Sequence, residues 1–403
     1  MADETTDPAV LAAEEAPTAP RWRLYTGSGT PPGDAAPRDI PLPPPWRRPR
    51  HAGAADPTRA ASFLVTPGDA ADTRGTTYRP SHPTIEMVNA ALYLGRPLLI
   101  TGKPGTGKSS LAHSVARELG LGPVLRWNIN SRSTLREGLY EYDALRRLAD
   151  HNLNKPRPVG EYITLGPLGT ALLPWARPRV LLIDEIDKGD IDLPNDLLNV
   201  FEEGEFFLRE AASSGSDDGE GGGADGVGPL RVLTFDAGQP LVTLPDGPRV
   251  RVAERFPVVF LTSNGERDFP PAFLRRCLRL YLLPPDEKHL MAILESHFAQ
   301  DPDRATFVGD NHAECLTLVR EFLTRTNSGN VLATDQLLNA VYLTVRSGEP
   351  VDDPEAVRRR LREALLMTLH SGAELNAATT AAATTTTAAA GVAAGRESGS
   401  SAA

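Results

Sequence analysis

The sequence predicts an α/β fold, a five-stranded parallel sheet with helices on both faces, followed by a small helical domain. Two observations carry this expectation. Short, continuously apolar runs alternate with helical patterns as far as Leu282, and beyond Pro284-Pro285 only helical patterns remain. The predicted strands are 98–101, bounded by Pro97 and Gly102, then 124–129, 180–183, 258–262 and 278–282. Between them, Ile85, Val88 and Leu92 recur at helical spacing over 83–96. Further helices are predicted at 109–119, stopping at Gly120, and at 192–203, stopping at Gly204. The helical domain is expected at 287–298, 313–325, 334–345 and 354–369, the last with Val357, Leu361, Leu365 and Leu369 on one face.

The ends read differently. Residues 1–77 are rich in Ala, Pro, Asp, Gly and Thr, and 371–403 in Ala, Thr and Gly; neither offers enough aliphatic surface to offset the entropy of ordering, so both are expected to be disordered tails. Within the first lie Arg21-Trp22-Arg23-Leu24-Tyr25 and Pro43-Pro44-Pro45-Trp46-Arg47-Arg48, where Trp and Arg, common interface anchors, meet a polyproline tract; a solvated linker is the alternative. The α/β domain spans 78–284 and the helical domain 285–370. A Gly/Ser/Asp-rich surface insertion is expected at 211–229, followed by a hairpin over 232–252 with its turn at Pro245-Asp246-Gly247.

The 403 residues hold 52 acidic and 42 basic side chains, a net charge of -10, so the overall field repels nucleic acid and anionic membrane and any bound anion needs a local site. Only Cys277 and Cys315 occur, the start is acidic rather than leader-like, and no apolar run is long enough to span a bilayer. A cytoplasmic location is expected, without a structural zinc.

The chemistry concentrates in two motifs. Gly102-Lys103-Pro104-Gly105-Thr106-Gly107-Lys108-Ser109, followed by Ser110, fits G-x-x-x-x-G-K-[ST] between a strand and a helix. Glycines let backbone N–H groups wrap a β-phosphate, the helix start adds positive potential, Lys108 reaches β/γ oxygens and the Ser109 hydroxyl suits Mg2+. Val180-Leu181-Leu182-Ile183-Asp184-Glu185 ends a buried strand in two carboxylates, Asp184 placed to hold Mg2+ and Glu185 to take a proton from, or orient, an attacking water. Helix capping by this acidic pair is the bland alternative.

Strand, phosphate loop, Asp-Glu strand and trailing helices together resemble AAA+ ATPases, a P-loop NTPase class, and over residues 78 to 370 they are similar to its MoxR and McrB-like branch. The resemblance implies an AAA+ core with the helical domain as lid, with ATP and Mg2+ bound at the loop. It implies that Asn264, closing Leu261-Thr262-Ser263-Asn264, senses the γ-phosphate or the water. In Phe269-Pro270-Pro271-Ala272-Phe273-Leu274-Arg275-Arg276, it makes Arg276 the arginine finger reaching a neighbouring subunit, with Arg275 the fallback. A homo-oligomeric ring, a hexamer, follows from it. Gly160 to Leu168 looks like the Gly-Pro-Leu signature of a segment that presents a loop to a partner, a plain hairpin being equally compatible. Members usually carry a lid Arg where this chain reads Val331-Leu332-Ala333-Thr334-Asp335-Gln336, with no basic residue. The Pro-Pro-Pro-Trp-Arg segment is reminiscent of MoxR-like ATPases encoded with von Willebrand factor A and effector proteins in bacterial conflict systems.

The leading expectation is therefore an Mg-ATP hydrolase that remodels or switches a protein partner. A nucleotide-gated scaffold is the second class, and a GTP-using nucleic-acid motor like the McrB relatives the third, disfavoured by the acidic balance.

Overall fold

Alternation along the strands divides the α/β part into two cores. Leu98, Ile100, Val180, Leu182, Val258 and Phe260 belong to one buried cluster, while Leu99, Leu181, Ile183, Val259 and Leu261 belong to another. Successive strand side chains point to opposite faces, so strands that are apolar at every position must be covered on both.

The computed structural model describes residues 22–32, 39–48, 70–214, 229–238, 240–300, 307–328 and 332–346. The chain divides into two units, Met1–Gly102 with Gly107–Leu282, and Lys103–Thr106 with Leu283–Ala403. The first unit runs α1 (Ala70–Thr77), α2 (His82–Leu94), β1 (Leu98–Gly102), α3 (Lys108–Leu119), β2 (Leu125–Asn128), α4 (Leu135–Leu139), β3 (Tyr140–Tyr142), α5 (Ala144–Asn152), β4 (Ile163–Leu165), α6 (Pro167–Ala171) and β5 (Val180–Asp184). It continues through α7 (Leu193–Glu203), β6 (Glu205–Phe207), α8 (Arg209–Ser214), β7 (Leu230–Leu233), β8 (Leu241–Leu244), β9 (Arg249–Arg251), β10 (Val258–Ser263), α9 (Pro271–Leu274) and β11 (Leu278–Leu282).

The main sheet has the order β11-β1-β10-β5-β2, every pair parallel, with all five predicted strands in it. Thr101 stands opposite Ser263, Ile183 opposite Leu261 and Asn128 opposite Asp184, so the carboxyl ends of these strands emerge along one edge. The chain leaves β1, lays down β2 at the far side and returns through β5 and β10, and open α/β sheets bind ligands beside such a reversal. Apolar faces of α2 (Val88, Leu92) and α3 (Leu111, Val115, Leu119) cover one side; Leu168 of α6 with Leu193 and Leu197 of α7 cover the other.

Two additions flank this sheet. Strands β3, β4, β7 and β8 form a second sheet. The hairpin expected over 232–252 is instead made by β7 and β8, Leu233 opposite Leu241, while Asp246-Gly247 turns the chain into β9, which pairs with β6. Burial of Val232 and Val250 and the Arg251–Glu205 ion pair favour this pairing. Gly160 to Leu168 is not a presented loop: Pro167 and Leu168 are buried, and a Cβ on Gly169 would stand 1.9 Å from the Leu139 carbonyl oxygen, so helices α4 and α6 meet only at glycine.

The expectation of disorder across 1–77 needs correcting for its described parts. Tyr25 is fully buried among α2 and α3 side chains, and its hydroxyl shares a 2.8 Å hydrogen bond with the Ser114 hydroxyl. Asn89 accepts from the backbone N–H of Leu24 (2.7 Å) and Tyr25 (3.0 Å) and donates to the carbonyls of Tyr25 and Ile85, both 2.8 Å. Glu118 accepts from the N–H and hydroxyl of Thr26 and from the Gly29 N–H, and Arg255 donates to the Ile40 carbonyl. A segment poor in aliphatics is thus ordered through its backbone, which composition does not register. Asn89→Ala strands these buried groups and is expected to cost roughly 2–4 kcal/mol, read as a lower thermal midpoint and faster proteolysis between residues 22 and 32. The remaining tail residues, most of the 211–229 insertion and the predicted helix 354–369 lie outside the described residues.

The second unit contains α10 (Glu287–Phe298), α11 (Phe307–Asp310), α12 (His312–Asn327) and α13 (Thr334–Arg346), packed around Leu290, Leu294, Cys315, Leu318, Phe322 and Val341. Among the described residues no helix is long and apolar enough to cross a membrane.

Candidate functional site

Helix α3 begins directly at Lys108 of the phosphate motif. Gly107 precedes it at φ +81°, in the left-handed region, and a Cβ there would stand 2.9 Å from the Tyr78 ring, so the turn admits only glycine. Lys108 Nζ donates to the Gly102 carbonyl (2.7 Å) and to Asn264 Oδ1 (2.8 Å). Burial lowers the Lys108 pKa, and Asp187, Asp184 and Glu185 oppose that fall. Ser109 and Ser110 follow on the first turn, both partly buried. Lys103, Pro104, Gly105 and Thr106 group with the second unit, where the Thr106 hydroxyl donates to the Lys103 carbonyl and the Thr334 hydroxyl to that of Gly105.

Asp184, at the carboxyl end of β5, is saturated with donors. Its Oδ1 accepts from the Ser109 hydroxyl (2.7 Å) and the Thr262 hydroxyl (2.6 Å), and its Oδ2 from Arg126 Nη2 (2.5 Å) and Nε (3.2 Å). Burial works to raise this carboxyl, but the bonds from Thr262, Ser109 and Arg126 outweigh it and hold the pKa below the ordinary range. Asp184 is therefore an ionised oxygen donor beside a hydroxyl oxygen.

Glu185 adopts φ +60° and ψ +48°, a left-handed conformation costing about 1 kcal/mol or more for a residue with a Cβ. Its N–H donates to Thr262 Oγ1 (2.9 Å), and its half-exposed carboxylate pairs with Lys188 Nζ at 2.8 Å. Asn264 follows β10, so the strand order alone places it between the end of β1 and that of β5. The sequence-predicted residues thus fall into two hydrogen-bonded groups, Gly102 and Asn264 on Lys108, and Ser109 on Asp184.

The arginines fall elsewhere. Arg276 forms an ion pair with Glu202 of α7 and donates to the Ala272 carbonyl at 3.2 Å. Arg275 is exposed and shows no side-chain hydrogen bond among the described residues, its carbonyl receiving one from Arg96.

Three polar residues at the site were not singled out from sequence: Arg126, Thr262 and Asp187. Arg126 stands between Leu125 and Trp127 on β2, and Asp187 closes Asp184-Glu185-Ile186-Asp187, cues that acquire meaning only once the strands are aligned. Asp187 is 3% exposed, and its Oδ2 accepts from the Ser263 hydroxyl and from the N–H groups of Asn264 and Glu266.

Residues 97–218 match the family model of the AAA domain of the dynein-related subfamily. The α/β unit has the fold of an AAA domain, a five-stranded parallel sheet flanked by helices. The matched stretch includes Gly102 to Ser110, Asp184 and Glu185; Asn264 and Arg276 lie beyond it. No curated protein matches the chain.

The residues of this site fit a magnesium nucleotide. A buried ammonium at a helix start bordered by glycine suits phosphate oxygens, and the Ser109 hydroxyl with the Asp184 carboxylate forms the hard-oxygen pair that Mg2+ takes together with water and phosphate.

Proposed function

We propose that the chain is an Mg-ATP-dependent AAA+ ATPase that assembles into a homo-oligomeric ring, a hexamer, and uses turnover to remodel or switch a protein partner in the cytoplasm, in the manner of MoxR-like ATPases. The observation that carries the hydrolytic reading is the hydrogen-bonded set Lys108–Asn264 and Ser109–Asp184 with Glu185 next in sequence. A bound Mg2+ would neutralise phosphate charge; Ser109 and Asp184 would hold it. Lys108 and the backbone at Gly102 and Gly107 grip the β- and γ-phosphates, and Ser110 adds a donor on the same helix turn. Asn264, already on the Lys108 ammonium, orients the attacking water or the γ-phosphate. Glu185 leaves Lys188 and takes the proton of the water as the bond from water to the γ-phosphorus forms and the bond to the β,γ-bridging oxygen breaks, releasing the diphosphate. A von Willebrand factor A protein is the partner class we favour, on the strength of the Pro43-Pro44-Pro45-Trp46-Arg47 segment, whose Trp46 is 80% exposed.

Arg276 supplies the trans charge in this reading once it exchanges Glu202 for a neighbour's phosphate, and Arg275, exposed, stands beside it. A finger of this kind is worth about 10³ to 10⁵ in rate. The test is phosphate release per subunit across protein concentrations for wild type, Arg276→Ala and Arg275→Ala. The rate is expected to rise with concentration and to fall at least about 100-fold in Arg276→Ala; loss in Arg275→Ala alone would reassign the finger, and a rate independent of both changes and of concentration would remove the ring.

A nucleotide-gated scaffold is the second reading. The Glu185–Lys188 pair and the absence of a basic residue over 331–336 favour it, since a binder needs neither a free base nor a lid Arg.

A further inference from the structure

Asp187 is buried beneath the loop that carries Asn264, and all its hydrogen bonds fall on one oxygen. Oδ2 accepts from the Ser263 hydroxyl (2.9 Å), the Asn264 N–H (2.9 Å) and the Glu266 N–H (3.1 Å), while Oδ1 is buried with no hydrogen-bond partner among the described residues. The Ser263 hydroxyl also accepts from the Gly265 N–H at 2.9 Å, so three consecutive backbone N–H groups, Asn264, Gly265 and Glu266, are tied directly or through Ser263 to this one carboxylate. The Asn264 side chain leaves this pinned loop to meet Lys108 Nζ at 2.8 Å.

We propose that Asp187 is a positioning residue for nucleotide hydrolysis, holding the 263–266 loop so that the Asn264 carboxamide is set against Lys108 and the reacting phosphate. The inference rests on the hydrolytic reading and deepens it. An unpaired buried carboxylate oxygen is costly, so a residue present only for packing would be served better by a neutral side chain. The three donors on the other oxygen supply what an uncharged apolar residue cannot, a fixed acceptor at the turn. Asp187 is also the leading carboxylate countering burial at Lys108, so a charge effect and a geometric effect must be separated.

Asparagine separates them. In Asp187→Asn the carbonyl oxygen keeps all three donors and the amide takes the unpartnered position, whereas Asp187→Ala frees the loop. Steady-state kcat, equilibrium affinity for a fluorescent ATP analogue, and thermal unfolding would be measured for wild type, both variants, Asn264→Ala and Asp187→Ala/Asn264→Ala. Expected are a kcat within about 3-fold of wild type for Asp187→Asn, and a fall of about 10- to 100-fold for Asp187→Ala with affinity nearly unchanged, the scale on which small misplacements act. The double variant is expected to be no slower than Asn264→Ala, as for two residues acting through one another. If Asp187→Ala does not fold, Ser263→Ala carries the same test, with a loss of a few-fold alone and none in the Asn264→Ala background. Equal losses in Asp187→Asn and Asp187→Ala, additive losses with Asn264→Ala, or wild-type turnover in Asp187→Ala would overturn the positioning role while leaving hydrolysis intact. Absence of turnover in wild type would overturn both.

Discussion

Glu185→Gln is expected to cut turnover by about 10² to 10⁴, equivalent to about 3–5 kcal/mol of transition-state stabilisation, while nucleotide affinity stays near wild type. Glutamine preserves the shape of the side chain and the backbone bond to Thr262, and it leaves Lys108, Ser109 and Asp184 untouched. What it removes is the ability to take a proton. The left-handed backbone at Glu185 supports a chemical role, because a strained conformation at a non-glycine residue persists where its surroundings demand it. Phosphate release beside an equilibrium nucleotide titration checks both halves. A variant that also loses binding would show that the carboxylate serves the ground state instead.

The largest expected loss of stability lies away from the site. Arg179 is fully buried, with Nη1 and Nη2 on the two oxygens of Asp236 (3.1 and 2.7 Å), Nη2 also on the Pro123 carbonyl, and its guanidinium 5.1 Å from the centre of the Trp175 ring. Its own carbonyl accepts from the Val258 N–H, so this one residue ties the approach to β5 to that of β10 and to the loop between β7 and β8. Asp236→Ala leaves a guanidinium buried without its counter-charge and is expected to cost about 3–5 kcal/mol, a fall of roughly 10 °C in midpoint. Arg179→Met/Asp236→Leu is expected to recover most of that, since a buried ion pair can be replaced by apolar groups at little net cost. Thermal unfolding of the two variants decides between a stabilising role and a dispensable one.

The central sheet was legible because β1, β5 and β10 are continuously apolar over most of their length, a pattern that fits a sheet covered on both faces, and because Gly120 and Gly204 end the helices where the apolar periodicity stops. Part of the candidate site was legible too: Lys108, Ser109 and Asp184 were named from type and spacing and Asn264 from the resemblance to AAA+ ATPases, and Lys108 stands within hydrogen-bond distance of Asn264 and Ser109 of Asp184. What was missed depends on distant partners. Tyr25 closes a short Trp/Arg segment in a Pro/Ala-rich stretch, and only Asn89 and Glu118, from two helices distant in sequence, engage its backbone and that of its neighbours. The pairing of β9 with β6 is invisible because both strands are three residues long and their natural turn signal, Asp246-Gly247, equally suits a local hairpin. Arg126 and Asp187 are single polar residues whose meaning appears only when strand order brings β2 beside β5 and the loop after β10 over the end of β5. The Arg276–Glu202 pair likewise joins a loop to a helix far away in sequence.

The measurement that bears most directly on the account is phosphate release from wild type and Glu185→Gln, side by side with Mg-ATP, together with nucleotide affinity for each. Steady release by the wild type, release at background in Glu185→Gln and equal affinity are the predicted results. Tight binding without release by the wild type, or equal release by both, would contradict the assignment of hydrolysis to this site.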